Sequence, residues 1–262
     1  MRLAYLYPGR ESDKDVYPEY FETLERVIKT VVRADTSFEI RGLSDDVPEE
    51  TEEELYWYIR MRYYSEVVAA AKKAEVDGFD AVVIGSVGAT EAEYAIKEAL
   101  SIPVAGISES CLYLAQLLGH NFALLLWDKK TAAWLDRVIR EFGLQDKCVS
   151  IRIAEITLDD VFRASMDTYE RMLEQAKKAV DEDHAEVLVT ASAGFVGVNE
   201  YLRKHMSVPI VNPVEAGVKF AEMLVDLKKA VNIGHSKIAS FKSSPNTEKV
   251  LKITFPKIWK TQ

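Results

Sequence analysis

Two patterns of apolar positions alternate along the chain. Short apolar runs bounded by turn residues are typical of strands, and stretches with an apolar residue every third or fourth position are typical of amphipathic helices. Predicted strands lie at 3–7, 38–40, 81–84, 104–107, 122–126, 149–156, 187–189 and 210–211. Predicted helices lie at 20–32, 51–76, 92–100, 111–118, 131–142, 158–180, 198–205 and 214–231. This alternation predicts an α/β fold with parallel sheets, here two of them.

Residue patterns at two helix starts support these boundaries. The sequence Thr-Glu-Glu-Glu at 51–54 has the spacing of a capping box, and Thr-Leu-Asp-Asp at 157–160 begins the helix at 158–180. The runs at 81–84 and 187–189 are apolar throughout, which indicates strands buried on both faces. The segment 232–262 is more polar and less regular than the rest.

An internal repeat is the strongest feature of the sequence. Residues 81–88 align with residues 187–194, so that Ser192 follows Ser86 by 106 positions and Gly194 follows Gly88 by the same distance. The same spacing relates Ser101 to Ser207, Pro103 to Pro209, Glu109 to Glu215, Ala115 to Ala221 and Leu118 to Leu224. We therefore predict two homologous α/β halves at 1–118 and 119–231, and a tail at 232–262 that packs back on the first half.

The repeated serines lie where ligands commonly bind in open α/β sheets. Ser86 and Ser192 each follow a predicted buried strand and precede a glycine and a helix. Ligands bind beyond the carboxyl ends of parallel strands, and free N–H groups at a helix start favour an anion. We expect the two halves to place one serine on each side of a small ligand, in a cleft between them. Alternatively, the small residues serve only tight strand-to-helix turns.

Composition excludes several classes of function. The 262 residues include 42 acidic and 33 basic side chains, a net charge of −9, which argues against nucleic acid or an anionic membrane as partner. No apolar run approaches the roughly 18 residues of a membrane span. The sequence starts directly with a predicted strand, so no signal peptide and a cytoplasmic location are expected. The two cysteines and four histidines show no metal-ligand spacing, and no glycine-rich nucleotide loop is present.

Four short motifs, in order and spacing, resemble the Asp/Glu/hydantoin racemase superfamily, and most closely its hydantoin and allantoin racemase branch. Residues 86–90, Ser-Val-Gly-Ala-Thr, stand where that branch has a turn like Cys-Phe-Gly-Asp-Pro. Residues 103–109, Pro-Val-Ala-Gly-Ile-Ser-Glu, match its Pro-Val-x-Gly-Ile-x-Glu segment. Residues 192–195, Ser-Ala-Gly-Phe, stand at its Cys-Ala-Gly-Met turn, and residues 208–211 match a Val-Pro-Val-Ile segment. The resemblance covers most of the chain.

The resemblance implies a cofactor-independent isomerase that acts on a small carboxylate or cyclic amide, such as an amino acid or a hydantoin. In the family, two thiols flank the acidic carbon of the substrate, which carries the roles of catalytic residues to Ser86 and Ser192. Backbone amides and small polar side chains hold the substrate, and the family commonly forms homo-oligomers. The substrate-binding residues implied at the two turns are Val87, Gly88, Thr90, Ala193, Gly194 and Phe195.

The sequence departs from the family at the residues that carry the chemistry. Because serine is a much weaker acid than cysteine and needs a neighbouring base, two-thiol racemisation is not available to Ser86 and Ser192. The first strand ends in Tyr7-Pro8-Gly9-Arg10, where the family often has Asn-Pro-Asn. We expect Tyr7 and Arg10 near the substrate. Arg10 either forms a bidentate ion pair with a substrate carboxylate or is solvated at the surface.

Three further features have two interpretations each. Glu109 and Glu215 are repeat-related carboxylates that either cap the helices they start or line the site. The helix at 51–76 carries five aromatic residues in its first half, which belong either to core and subunit contacts or to a ligand pocket. Cys111 follows Glu109 at a predicted helix start. It either has a pKa lowered by the positive end of the helix or behaves as a small buried hydrophobe, and we expect the second.

Three functional hypotheses follow. The first is an isomerase whose serines bind substrate or relay protons. The second is a decarboxylase, lyase or hydrolase on the same scaffold, with Ser86 and Thr90 stabilising an oxyanion. The third is a binding protein that has lost the chemistry, including the case in which serines were engineered in place of cysteines. In all three the partner is a small molecule, and neither a metal nor a cofactor is expected.

Overall fold

The computed structural model describes residues 1–45, 47 and 56–260. Its strands are β1 (Arg2–Arg10), β2 (Ser37–Leu43), β3 (Ala81–Ile84), β4 (Val104–Gly106), β5 (Phe122–Leu126), β6 (Cys148–Ile153), β7 (Leu188–Thr190) and β8 (Ile210–Val211). Its helices are α1 (Asp13–Val16), α2 (Pro18–Val31), α3 (Trp57–Val76), α4 (Thr90–Ala99), α5 (Ile107–Leu118), α6 (Lys129–Glu141), α7 (Leu158–Arg163), α8 (Met166–Asp181), α9 (Val198–His205), α10 (Pro213–Val231), α11 (Thr247–Thr254) and α12 (Pro256–Lys260). Within the described residues, none of these helices has the length and apolar character to cross a membrane.

The strands form two parallel sheets with the same topology. The first sheet has the order β2-β1-β3-β4 and the second has the order β6-β5-β7-β8. The apolar runs of β3, β5 and β7 are buried along their whole length, because helices cover both faces of such sheets. The predicted α/β fold with two parallel sheets is confirmed.

Two compact units divide the chain differently from its order in sequence. Unit 1 comprises Met1–Val16, Val31–Gly106 and Gly217–Gln262, and unit 2 comprises Tyr17–Thr30 and Ile107–Ala216. The predicted boundaries at 118 and 231 thus differ from the contact-defined ones, because α2 and α5 belong to unit 2 and most of α10 belongs to unit 1.

Polar contacts accompany two of these placements, those of α2 and α10. In unit 2, Arg26 of α2 forms an ion pair with Glu200 of α9. In unit 1, the buried carboxylate of Glu222 on α10 accepts hydrogen bonds from the Arg33 N–H and the Thr36 hydroxyl, at 2.9 and 2.7 Å. Hydrogen bonds to a buried carboxylate are costly to lose, so they fix the helix to its unit.

The segment after α10 packs on unit 1. The ammonium group of Lys237 donates to the carbonyls of Lys97, Glu98 and Leu100 at the end of α4. The Nε2 atom of His235 accepts a hydrogen bond of 2.9 Å from the N–H of Val104 in β4. A cation at the carbonyl end of a helix is favourable, since those carbonyls have no partner within the helix.

One predicted helix is two helices in the structure. The stretch predicted at 158–180 is interrupted at Ala164, whose φ of 48° and ψ of 48° are left-handed, and Ser165 caps the start of α8. The capping box of Thr157 and Asp160 is present as predicted. The capping box predicted at 51–54 lies outside the described residues.

Candidate functional site

Ser86 lies in the turn that leads from β3 to α4 in unit 1. Its hydroxyl oxygen accepts a hydrogen bond of 3.0 Å from the backbone N–H of Gly88. The side chain is partly buried, and α4 begins at Thr90. The turn therefore places a hydroxyl at the carboxyl edge of the sheet, which is the edge where such folds bind ligands.

Ser192 has the same local geometry in unit 2. Its oxygen accepts a hydrogen bond of 3.1 Å from the N–H of Gly194, at the start of a single 3-10 turn over Ala193–Val196. Ser192 is 6% exposed. The relation between Ser86 and Ser192 predicted from the repeat thus extends to their hydrogen bonds.

The hydroxyls of Ser86 and Ser192 are available to donate hydrogen bonds. Each oxygen accepts an N–H, and neither hydroxyl donates to another residue in the described part of the chain. A hydroxyl that accepts one hydrogen bond is polarised toward donating another. Among the described residues, no base is bonded to either serine, so the arrangement favours donation to a ligand oxygen over removal of a proton.

Polar and charged groups surround the Ser86 turn. The Tyr64 hydroxyl of α3 donates to the carbonyl of Gly88 at 2.6 Å and lies 2.9 Å from the Oε2 atom of Glu91. Burial raises the pKa of Tyr64 well above its usual range, so the hydroxyl keeps its proton. A methyl group added to Gly88 would lie 3.2 Å from Nη2 of Arg60. The guanidinium is therefore close enough to favour negative charge at this turn.

A buried polar layer lies behind the same turn. The Thr90 side chain is 2% exposed, and its hydroxyl has no hydrogen-bond partner among the described residues. One turn further along α4, Glu93 and Lys97 form a buried ion pair of 2.7 Å. A methyl group on Gly106 would lie only 1.7 Å from Oε2 of Glu93, so the carboxylate requires glycine at the end of β4.

Apolar groups surround the Ser192 turn instead. A methyl group added to Gly194 would lie 2.4 Å from Val161 and 3.7 Å from the ring of Phe162. Phe195 is fully buried, and its ring lies 6.1 Å from that of Trp127 at an interplanar angle of 71°. This edge-to-face contact is a favourable aromatic geometry. The second turn therefore lies in apolar surroundings.

Comparison with known proteins identifies the family. The model of the Asp/Glu/hydantoin racemase family matches residues 18–221. The chain belongs to this family. It is 33% identical over 194 residues to the hydantoin racemase of Pseudomonas sp. (strain NS671), a match that covers 72% of this chain and 76% of the relative. It is 30% identical over 148 residues to the hydantoin racemase of Paenarthrobacter aurescens, covering 56% and 62% of the two chains.

Solved structures agree with this assignment. The allantoin racemase of Pseudomonas fluorescens superposes with a TM-score of 0.74 at 25% identity, over 94% of this chain and 97% of that chain. The allantoin racemase of Klebsiella pneumoniae gives a TM-score of 0.80 at 20% identity over 94% of both chains, which supports the fold. The predicted family is confirmed, and the relatives support an isomerase of the racemase class.

The two cysteines of this racemase-family chain are not candidates for the missing thiols. Cys111 is fully buried in α5, and its sulfur donates to the carbonyl of Ser108. Burial raises the pKa of Cys111 to about 12, and it raises the pKa of Cys148 to about 12 as well. Both remain protonated thiols at neutral pH. In the described part of the chain, no three His, Cys, Asp or Glu side chains are grouped as a metal site requires.

Tyr7 and Arg10, the residues predicted from the end of the first strand, converge on a carboxylate of the protein itself. The buried Asp13 accepts hydrogen bonds from the Tyr7 hydroxyl at 3.4 Å, the Arg10 N–H at 2.8 Å and the Arg10 Nε at 3.2 Å. The Arg10 side chain is 18% exposed, so it is not a solvated surface arginine. Asp13 partly neutralises it, which weakens its attraction for a substrate carboxylate.

The remaining predicted site residues are two glutamates at helix starts and two buried apolar residues. Glu109 and Glu215 lie in the first turns of α5 and α10, where negative charge stabilises a helix. Glu215 also forms a two-pronged ion pair with Arg203, at 2.6 and 2.8 Å. Val87 and Ala193, which follow the two serines, are buried.

Sequence reasoning missed Arg60 and Trp127 and did not separate Tyr64 from its aromatic neighbours. Of the five aromatic residues of this region, Tyr63 is in the core, and Tyr56, Trp57 and Tyr58 are 56%, 51% and 89% exposed. Tyr64 is recognised by its hydrogen bonds with Gly88 and Glu91, which no local sequence pattern encodes. Trp127 could have been found from the sequence, because it directly follows the strand predicted at 122–126.

Proposed function

We propose that this chain exchanges the proton on the acidic carbon of a small cyclic amide or carboxylate without a cofactor. In this proposal Ser86 and Ser192 stand at the positions of the family's two thiols, and both contact the substrate. The residues of the two turns, together with Tyr7, Arg10, Glu109 and Glu215, bind it. Hydantoins are the first class to test, because two relatives of this chain are named hydantoin racemases.

The equal geometry of the two serine turns carries this proposal. Both hydroxyls accept an N–H two residues ahead, at 3.0 and 3.1 Å, and both follow a central strand of a parallel sheet. A duplication that served only tight turns would need small residues in both halves. The matching serine-to-glycine hydrogen bonds add a hydroxyl at the carboxyl edge of each sheet, where ligands commonly bind. The buried Thr90 hydroxyl beside one turn supplies a further polar group for a ligand oxygen.

The chemistry follows from what hydroxyl donors can do. When the α-proton of a hydantoin leaves, negative charge moves to a ring carbonyl oxygen and forms an enolate. Donors directed at that oxygen lower the barrier, and one such donor typically contributes about 3 kcal/mol. Serine without an adjacent base removes protons poorly, so we propose that the hydroxyls stabilise the enolate and that proton exchange with solvent water is slower than with thiols.

The test is proton NMR in heavy water with single enantiomers of 5-benzylhydantoin, allantoin and aspartate. We expect slow loss of the α-proton signal with the chain as it stands, less with Ser86→Ala/Ser192→Ala, and faster loss with Ser86→Cys/Ser192→Cys. The Ala variant is the matched control, because it removes both hydroxyls and their hydrogen bonds to Gly88 and Gly194 with a small change in side-chain size. If this chain and the Ala variant are equally inactive on every compound while the Cys variant is active, the serines are silent and the protein is a binding form.

A decarboxylase would use the same donors. Loss of carbon dioxide from a malonate also leaves an enediolate, and in this alternative Ser86, in the turn before α4, and Thr90, the first residue of α4, would donate to it. Adding phenylmalonate to the panel and measuring carbon dioxide separates the two reactions. Carbon dioxide release without proton exchange on any hydantoin would replace the isomerase proposal.

The assembly and location of the chain stay predictions. We expect a homo-oligomer, which light scattering of the purified protein tests directly. A cytoplasmic location is tested by fractionation of the native cells.

A further inference from the structure

Trp127 follows β5 at the same edge of the second sheet as Ser192. Strands β5 and β7 are neighbours, with Leu124 opposite Val189 and Leu125 opposite Thr190. The pairing continues past the strands, because the N–H of Ala191 donates to the carbonyl of Leu125 at 3.1 Å. Trp127 and Ser192 therefore leave adjacent strands at corresponding positions.

The indole N–H of Trp127 is a buried donor in need of an acceptor. The side chain is 6% exposed, and Nε1 has no hydrogen-bond partner within the part of the chain that the structure describes. The same holds for the hydroxyl of Thr131, four residues further on at the start of α6. Leaving such a group unpaired costs about 1–3 kcal/mol, so a native partner is expected.

The groups around Trp127 indicate what kind of ligand would supply the acceptor for its indole N–H. Its ring packs against Phe195, which follows the Ser192 turn, and Val161 lies against Gly194 in the same turn. A polar substituent placed among these groups would lose its hydration without gaining hydrogen bonds. An apolar substituent would gain the burial of its own surface.

We propose that Trp127 is a specificity-determining residue of this chain. Its indole N–H donates to a carbonyl oxygen of a cyclic amide, and its ring and those of Phe195 and Phe162 contact an apolar substituent on that amide. The inference rests on the proposed function, and it adds that 5-benzylhydantoin is preferred over allantoin, whose substituent is a polar ureido group.

The test follows the indole resonances of the four tryptophans by nitrogen–proton correlation NMR during titration with 5-benzylhydantoin or allantoin. The variant Trp127→Phe assigns the Trp127 signal, and Trp134→Phe is the matched control, a buried tryptophan of α6. We expect 5-benzylhydantoin to move the Trp127 proton downfield and to bind more tightly than allantoin. Trp127→Phe should weaken its binding in calorimetry about fivefold, the usual effect of one lost hydrogen bond, and Trp134→Phe should not.

Each outcome has a distinct meaning. Binding with a shifted Trp127 signal but no proton exchange refutes the proposed function and leaves this inference standing. An unmoved Trp127 signal during saturating binding, or unchanged affinity in Trp127→Phe, overturns the inference and indicates that a buried water satisfies the indole. Failure of 5-benzylhydantoin to bind, or tighter binding of allantoin, overturns it as well.

Discussion

The turns of Ser86 and Ser192 have one backbone design in two different environments. Both place a serine oxygen on the N–H of a glycine at nearly the same distance, 3.0 and 3.1 Å. The Gly88 turn contacts Tyr64 and approaches the guanidinium of Arg60, whereas the Gly194 turn contacts Val161. The duplication has thus kept the parts that shape the turn and has changed the parts that set its polarity.

The consequence is electrostatic. A positive charge beside the first turn favours negative charge on a ligand or side chain there, and an apolar surrounding at the second turn disfavours any charge. Two chemically equal side chains placed at the two positions should therefore behave differently. The following predictions test this contrast, from the largest expected effect to the smallest.

The largest difference concerns two basic residues related by the repeat, Lys97 and Arg203. Lys97 is buried with Glu93, whereas the ion pair of Arg203 with Glu215 is partly exposed. Glu93→Ala removes a buried carboxylate partner of Lys97 and should lower the free energy of unfolding by about 3 kcal/mol. Glu215→Ala, the control, should lower it by about 1 kcal/mol or less. Urea unfolding of both variants measures this, and equal losses would contradict the buried position of the first pair.

The second prediction compares single thiols in the two turns. In Ser86→Cys the nearby Arg60 guanidinium favours the thiolate, whereas in Ser192→Cys the apolar surroundings disfavour it. The thiol pKa should be at least about one unit lower at position 86 than at position 192. The pH dependence of alkylation by iodoacetamide measures both values, and the natural cysteines, whose pKa values are both raised to about 12, should react little below pH 9.

A further substitution tests whether Arg60 causes the lower thiol pKa at position 86. Adding Arg60→Gln to Ser86→Cys should raise the thiol pKa, because the guanidinium charge is removed while a polar side chain remains. The same change in the Ser192→Cys background should have little effect. Equal pKa values at the two positions, or no response to Arg60→Gln, would show that the two turns do not differ in the way their neighbours indicate.

The third prediction concerns Tyr64, whose hydroxyl bonds Gly88 and Glu91 in unit 1. Tyr64→Phe removes these bonds and should lower the free energy of unfolding by about 1.5 kcal/mol. Tyr169 of unit 2 provides the control. Its ring packs against Tyr201, and its hydroxyl makes no hydrogen bond within the described residues, so Tyr169→Phe should change stability by less than about 0.5 kcal/mol. Thermal or urea unfolding of the pair decides the question, and similar losses would argue against the Tyr64 contact.

Sequence periodicity predicted most of the fold. The eight strands of the described residues and the two parallel sheets follow from apolar runs alternating with amphipathic stretches, because the local pattern and the buried faces agree. Two features were not predicted. The break at Ala164 interrupts an unbroken apolar period, and the local cap by Ser165 was not recognised in the sequence. The placement of α2 and α10 in the two units involves contacts between residues far apart in sequence, such as Arg26 with Glu200.

Only the part of the candidate site that belongs to the internal repeat could be predicted from the sequence. Ser86 and Ser192 could be found from their equal spacing and their place after strands, and the structure gives them matching hydrogen bonds. The pairing of Arg10 with Asp13 was not expected, although they are only three positions apart, because a short helix between β1 and α2 was not predicted. Arg60 and Tyr64 reach the first turn from α3, whose counterpart in the second half is α8. The aligned repeat begins only at residue 81, so it does not reveal these two side chains.

The smallest effect concerns α7, the helix that brings Val161 against Gly194 in the apolar turn. This helix ends at Ala164 in the left-handed conformation, which a side chain disfavours by about 1 kcal/mol. Ala164→Gly removes that cost but gains freedom in the unfolded chain, so we expect a net stabilisation of about 0.5 kcal/mol. Ala176→Gly in the buried interior of α8 should instead destabilise by about 1 kcal/mol or more. If both variants lose stability in urea unfolding, α7 and α8 form one continuous helix as the sequence period predicted, and Val161 is then not held against the second turn by a separate helix.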